Sequence, residues 1–581
     1  MKELIMKKSL ILLICLFTAH VHVWGATYTM RADGTSATKG TTACGNGTAS
    51  DFMGITRHNQ ESFSPGDIIE LCDDGGSIYT GRLIVRSDGS AGGGYITYRA
   101  ESGTTITVDA GGATAEAFRM PGRQYIRVEN LNFTGGTGAG VYGATQAGRD
   151  IAYIVLDNIR SYSHDGPGVQ FISRMQNPAE KVSQITIQDS QIDTNGAAGI
   201  SLTGFWLIEY VTIDGNDVFG NNTSQNSRQG IGIAVPRNVL TTGWTYENEG
   251  DDYYQAVTYT PLRVFQDDAN FRELTKGNIP LTDGQWDYQG GNLYVDIGGN
   301  PEGIDIAYLT GKITNIAAIN NKSYSNTDHS SGWDGVGIFF DLGVEDSYAA
   351  FNQVYDNDGG GIYVKSSKNI DIYYNLIYNN SVGQGDGIRV RKGSYDVNIF
   401  NNTITGTING NGILILDGSD LIVLKNNIIS NNNAYGISSD GTSANVSEDY
   451  NQLYNNTSGD RQNISAGSNS QSGDPLFVDT ANENYTLEPI SPAIDAGELQ
   501  FMHAAGWHDN PYCKPGYTVK TRLYGDGPDI GACENNIDCA GDFNEDGDID
   551  GSDLAELVND VNLLDLGIFA SNFGKPDCNA F

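Results

Sequence analysis

Three short runs hold the side chains best suited to chemistry: Gly337-Ile338-Phe339-Phe340-Asp341, Gly361-Ile362-Tyr363-Val364-Lys365 and Gly387-Ile388-Arg389-Val390-Arg391. A fourth, Gly412-Ile413-Leu414-Ile415-Leu416, repeats the design without charge. Side chains of an extended strand alternate, so Ile338, Ile362, Ile388 and Ile413 share a face with Phe340, Val364, Val390 and Ile415. The opposite face carries Phe339, Tyr363, Arg389 and Leu414 in one file and Asp341, Lys365, Arg391 and Leu416 in the next. Stacked about 4.8 Å apart, Asp341, Lys365 and Arg391 would stand side by side. Residues 365 to 392 also hold five of the 34 Lys and Arg residues, where the chain average predicts roughly 1.6.

A basic cluster on an otherwise acidic, extended surface suits an anionic ligand, and for a solenoid the natural one is a uronic-acid polysaccharide. Cleaving such a polymer by β-elimination needs a base for the C5 proton, positive charge on the carboxylate and a proton for the leaving oxygen. Lys365 is the expected base, because Arg389 and Arg391 disfavour a further cation beside them, although Asp341 opposes that effect. Arg391 is expected to grip the carboxylate with Arg389 beside it, and Tyr363 to protonate the leaving group. Asp341, His329 and Asp334 are expected to contact substrate. A glycoside hydrolase would instead pair Asp341 with Asp334, Asp358 or Asp386. A carbohydrate-binding solenoid would need no catalytic group, and a cross-strand ladder of Asp, Lys and Arg can simply neutralise itself on a solvated sheet.

A second constellation lies near the C-terminus. Asp542, Asn544, Asp546, Asp548, Asp550 and Asp553 supply oxygen donors at positions 1, 3, 5, 7, 9 and 12 of one loop, with Gly547 at position 6. Calcium wants six to eight oxygens, and the glycine allows the sharp turn, so Ca²⁺ is the expected cofactor of this loop. Residues 554–558 can begin a following helix.

The elements that position the first cluster come from a repeat. The four runs begin 24, 26 and 25 residues apart, and Asn352, Asn375, Asn402, Asn427 and Asn451 recur in step with them. A period near 25, strand chemistry and polar Asn turns predict an all-β, right-handed parallel β-helix. The Leu-x-x-Leu-x-Leu frame of a leucine-rich repeat is absent, and a propeller would want four strands per roughly 40 residues. Residues 239–308 break the period and hold Trp244, Tyr246, Tyr253, Tyr254, Trp286, Tyr288 and Tyr294. They predict a β-rich insertion walling a groove, with most of its aromatics in a small core of their own. Residues 474–534 are expected to cap the last apolar rung, closing a solenoid domain that spans 26–534.

The chain has 581 residues and a net charge of −37, from 34 basic and 71 acidic side chains, which argues against a nucleic-acid partner. Lys2, Lys7 and Lys8 precede the apolar run Leu10 to Phe17, and Gly25 suits cleavage, so residues 1–25 are expected to be a signal peptide and the protein secreted or cell-surface bound. No stretch approaches the roughly 20 apolar residues of a spanning helix. An oxidising compartment favours disulfides among the remaining six cysteines, and proximity suggests Cys44 with Cys72, Cys513 with Cys533 and Cys539 with Cys578.

Two resemblances add to this reading. The calcium loop, with Asp at position 12, resembles a type I dockerin repeat, which implies a small α-helical module over 535–581 and a cohesin-type scaffold or cell-surface anchor as partner. Its second repeat survives only in Asp560-Val561-Asn562-Leu563-Leu564-Asp565-Leu566. Tyr363-Val364-Lys365-Ser366-Ser367-Lys368-Asn369 and Ile388-Arg389-Val390-Arg391-Lys392-Gly393 resemble segments of polysaccharide lyase family 6, which includes chondroitinase B and β-helical alginate lyases. The resemblance covers about 30 residues and implies Lys365 as base with an assisting arginine one rung later. Lys392 replaces that family's His, and its paired calcium-binding Glu residues would fall at Asp358 and Gly360, leaving one carboxylate.

Overall fold

The computed structural model describes residues 25–498, except 114, 175–178, 224–228, 247–252, 268–271 and 329–333, together with 512 and 528–533. All but the last residue of the expected signal peptide, His329, the calcium loop with the dockerin-like module, and Cys513, Cys539 and Cys578 lie outside the described residues.

The alternating runs form strands, and each coil gives one strand to each of three sheets, as in Lys368–Tyr373, Leu376–Tyr378 and Ile388–Arg391. The sheets contain 13, 12 and 13 strands, and neighbouring coils pair in parallel. The body is a parallel β-solenoid. Among the described residues the one α-helix is Ile55–His58, near the N-terminal end.

The inward columns pack as the alternation requires. Ile338, Ile362, Ile388 and Ile413 pair rung to rung, as do Phe340, Val364, Val390 and Ile415, and all eight are fully buried. Each such side chain contributes about 1.5–3 kcal/mol of burial. The turn asparagines form a second spine: Asn352 Nδ2 donates to Asn375 Oδ1 at 2.9 Å, Asn375 to Asn402 at 2.9 Å, Asn402 to Asn427 at 3.0 Å and Asn427 to Asn451 at 2.9 Å. A buried amide so stacked satisfies its own donor and fixes the register of the next coil. A second ladder, Asn195, Asn221, Asn326, Asn357 and Asn380, runs along another turn, with His164 at its head.

The last described coil ends the apolar core on charge. At the last coil the inward positions opposite Leu424 and Ile437 are Glu448 and Arg461, which pair at 2.6 Å. Glu448 also accepts from Gly467 N, Asn451 Nδ2 and Ser470 Oγ, so a satisfied ion pair ends the apolar core. The described part of the 474–534 segment packs along the flank of the solenoid. Tyr485 stacks beside Tyr378 at 4.9 Å, and Leu487, Ala493 and Ile530 gather around Ile428. At the other end Cys44 and Cys72 form the expected disulfide, and Cys533 is disulfide-bonded too.

The insertion is β-rich as its pattern implies. It folds as an eight-stranded sheet whose edge strand Arg237–Leu240 pairs with Ile306–Leu309. Trp244, Trp286, Leu293, Val295 and Tyr308 form its own core. Most of its aromatics are therefore structural, while Tyr246 remains exposed.

Candidate active site

The strands Val336–Asp341, Gly360–Lys365 and Ile388–Arg391 lie side by side in the 12-stranded sheet. Register sets Asp341 opposite Lys365 and Lys365 opposite Arg391 on the outward face. The expected file therefore forms. Lys365 Nζ stands 3.0 Å from Asp341 Oδ1, with both side chains about one-fifth exposed, at 21% and 22%. Arg391 donates through Nε to Asp417 Oδ2 at 3.2 Å.

The adjacent file differs from expectation. By register Phe339, Tyr363 and Arg389 face outward, yet they are only 8%, 2% and 3% exposed. The segments leading into the strands fold over them. Gly359, Gly385 and Gly410 stack backbone on backbone there, and a Cβ at Gly385 would lie 1.8 Å from Gly359 O and 2.5 Å from Tyr363 Oη. Tyr363 Oη donates to Gly359 O at 2.5 Å and accepts from Asp386 N at 3.0 Å. Burial pushes its ionisation far above the ordinary tyrosine range. Its hydroxyl proton is engaged by Gly359 O in the wall of the site. Arg389 lies over the Tyr363 ring at 4.8 Å and donates to Asp386 Oδ2 at 2.6 Å. Asp386 also accepts from Asn411 N and Nδ2. Arg389 and Asp386 thus form a buried ion pair in the wall beside the file, and not on its open surface.

The remaining expected residues are not brought to the file. Asp334 is half-buried two residues ahead of the strand Val336–Asp341, with its carbonyl against Gly359. Asp358 accepts from Asp328 N at 3.0 Å. His329 lies outside the described residues.

The insertion clamps the opposite side. Arg263 Nη1 donates to Ser366 O at 2.9 Å, Glu273 pairs with Arg263 at 2.7 Å and faces Lys368 at 3.7 Å, and Asp267 pairs with Lys392 and Arg237. Burial, then Lys365 and Arg391, push the Lys392 ammonium below the ordinary lysine range, a shift that Asp417 opposes. All five cations of the cluster thus face an acid: Lys365 with Asp341, Lys368 with Glu273, Arg389 with Asp386, Arg391 with Asp417 and Lys392 with Asp267. The region is a compensated ion-pair array.

A groove leads to this array along the same sheet. It encloses about 990 Å³ and is lined by Gln170, Ser201, Thr203, Phe205 and Ala234, reaching Asp341 and Leu342 at one end. Lys365 lies one rung beyond that end. The floor combines small and neutral polar side chains with the apolar Ile172, Phe205 and Val235.

A family model described as a right handed beta helix region matches residues 292–423 and again 352–474. The solenoid is a right-handed parallel β-helix. No curated protein matches the sequence. Among solved structures it is similar to pectate lyase Pel9A, at 12% identity over 89% of this chain and 98% of that one, with a TM-score of 0.38. It is also similar to GH136 lacto-N-biosidase from Eubacterium ramulus, at 12% identity over 77% and 67% of the two chains, with a TM-score of 0.40. A third similarity is to the A-module of mannuronan C-5 epimerase AlgE4 from Azotobacter vinelandii, at 14% identity over 70% and 88%, with a TM-score of 0.31.

Among the described residues no group of three potential metal ligands lies beside Lys365. Gly360 offers no side chain, Asp358 is engaged with the backbone, and among the described residues the one cluster of three potential ligands is Cys44, Cys72 and Glu101, two of which form the disulfide. Sequence reasoning missed the acids that compensate the cluster. Asp267 and Glu273 come from the insertion, about a hundred residues away in sequence, and no local pattern joins them to Lys392 and Lys368.

Proposed function

We propose that this protein is a secreted polysaccharide lyase that cleaves a uronic-acid-containing polysaccharide, of the alginate, pectate or chondroitin type, by β-elimination. One observation carries the reading: Asp341, Lys365 and Arg391 stand in file on the outward face, at the end of a groove that runs along the same sheet. Lys365, as the neutral amine, takes the C5 proton. The C5–H electrons form the C4–C5 double bond, and the C4–O bond breaks with its electrons on the leaving oxygen. Arg391 faces the substrate carboxylate, which competes with Asp417 for the guanidinium, and stabilises the charge that develops there. With the Tyr363 proton held in the wall, the ammonium formed on Lys365 returns its proton to the leaving oxygen. Asp341 orients that ammonium.

The test is ultraviolet absorbance of the unsaturated ends made from alginate, polygalacturonate and chondroitin, with wild type and Lys365→Ala. A signal lost in the variant supports the lyase. New reducing ends without unsaturation overturn it in favour of hydrolysis, and binding without turnover leaves a carbohydrate-binding solenoid.

The tail belongs to the same reading. Asp542, Asn544, Asp546, Asp548, Asp550 and Asp553 would hold one Ca²⁺ and order a dockerin-like anchor for a cohesin-type scaffold or cell surface. Calorimetric calcium titration of the full chain checks this, and unchanged calcium binding in Asp546→Ala would remove it.

A further inference from the structure

The twelve-stranded sheet carries a second group of cations, one to two rungs beyond the other end of the groove. Arg119, Tyr142 and Gln170 occupy successive rungs of the outward column that continues through Ser201 and Gly232 to Phe339 and Tyr363. Arg174 follows the strand Val169–Ser173, and its Nη2 donates to Tyr142 Oη at 2.9 Å. Neither Arg119 nor Arg174 has an ion pair among the described residues, and Arg119 Nε is buried there without a hydrogen-bond partner. Just behind them Arg123 and Arg149 share the single carboxylate of Asp88.

This is unexpected in a chain of net charge −37, where acidic partners are abundant. A guanidinium drawn partly out of water without an anion loses solvation and gains nothing in return, unless a ligand supplies the charge. The phenol of Tyr142 orients Arg174 but does not neutralise it. A fork of N–H donors in this setting suits an oxyanion. Six rungs separate Arg119 from Tyr363 and Lys365, about 29 Å at 4.8 Å per rung. The neutral groove floor lies between them, with Asp165 on its rim.

We propose that Arg119, Tyr142 and Arg174 form a distal oxyanion subsite that grips an anionic group of an extended acidic polysaccharide lying along the sheet, several sugars from Lys365. The site holds a polymer in register with the groove and adds nothing for a short oligosaccharide that fills only the Lys365 end. Its placement as a remote subsite rests on the function proposed above, whereas the anion site itself stands on the two arginines.

The full chain, its Arg119→Ala/Arg174→Ala double variant and Lys365→Ala are titrated with alginate, dextran sulfate and neutral dextran. Alginate affinity should fall about tenfold or more in the double variant, stay within twofold in Lys365→Ala, and neutral dextran should bind none of them. Equal losses for alginate and dextran sulfate assign the subsite to oxyanions generally. A loss confined to dextran sulfate assigns it to sulfate esters, and a loss confined to alginate to carboxylates. Unchanged affinity for both anionic probes overturns the proposal. If the wild type makes no unsaturated product but the double variant still loses alginate, the lyase reading fails and the anion subsite stands. Should the double variant unfold more easily than wild type, Arg174→Gln alone carries the same test with the half-buried Arg119 left in place.

Discussion

Two basic regions share one face of the β-helix and differ in their counter-charges. Around Lys365 five cations meet five acids, drawn from neighbouring rungs and from the insertion. Around Arg119 and Arg174 the described residues supply no acid to either arginine. The local density of Lys and Arg in sequence singles out the first region, yet it is the second that presents uncompensated charge. A solenoid explains the inversion. Its strands bring together residues about 25 positions apart, so the field at a rung is set by residues one coil away. The compensated array is built for geometry, holding Lys365 and Arg391 in fixed orientation, and the uncompensated pair for attraction.

The largest expected effect tests that division at the chemistry. Lys365→Ala should lower turnover on a uronate polymer about a thousandfold, measured by initial rates of unsaturated product, while polymer affinity changes little. A comparable loss of affinity would mean that Lys365 attracts substrate and that the two regions do not divide these tasks.

Next comes the buried wall. Asp386→Ala leaves Arg389 charged and enclosed, and a broken buried pair costs about 3–5 kcal/mol. Urea unfolding should show that loss in the midpoint. A change below about 1 kcal/mol would mean that the Arg389 pair is exposed and belongs to the ligand-binding face.

The repeat was largely legible, because the pleat ties alternation to facing. The file of Asp341, Lys365 and Arg391 and the asparagine spine both follow from spacing alone. Exposure was not legible. Tyr363 and Arg389 occupy outward positions and are nevertheless buried, since the glycine-paved segments at Gly359 and Gly385 fold over them. Alternation says which side of a sheet a residue takes and nothing of what a loop lays on top. The charged plug of Glu448 and Arg461 escaped for a related reason: a polar residue at an inward position reads as a break in the pattern until its partner is known.

A third effect bears on the turn that carries the groove rim at Asp165. His164 Nδ1 accepts from Gly136 N at 2.9 Å and Nε2 faces Phe133 O at 3.1 Å, so the ring is held neutral. Burial lowers its pKa to about 4, and burial lowers that of His58 likewise to about 4. The unfolded chain, with histidines near 6.5, binds more protons than the folded one between those values. Stability is therefore complete above about pH 6.5 and falls as pH drops towards 4, by about 3 kcal/mol per histidine. Urea midpoints at pH 7 and 4.5 in His164→Gln should show a smaller loss than in wild type. An equal loss would place the acid sensitivity elsewhere in the solenoid.

The smallest effect addresses the comparison most directly. Asp417 pairs with Arg391 at a half-buried surface position, with side chains 28% and 25% exposed, so Asp417→Asn should change stability by less than about 1 kcal/mol. The substitution removes a counter-charge and leaves Arg391 in place, which makes this end of the groove resemble the Arg119 and Arg174 end. If compensation is what keeps the array from attracting polymer, alginate should bind a few-fold more tightly, with a steeper dependence on salt because one more exposed cation contributes. The gain should add to the contribution of Arg119 and Arg174, since the two ends lie several rungs apart and share no partner. An unchanged affinity would show that Arg391 never meets the polymer, and would separate the file at Lys365 from the groove that leads to it.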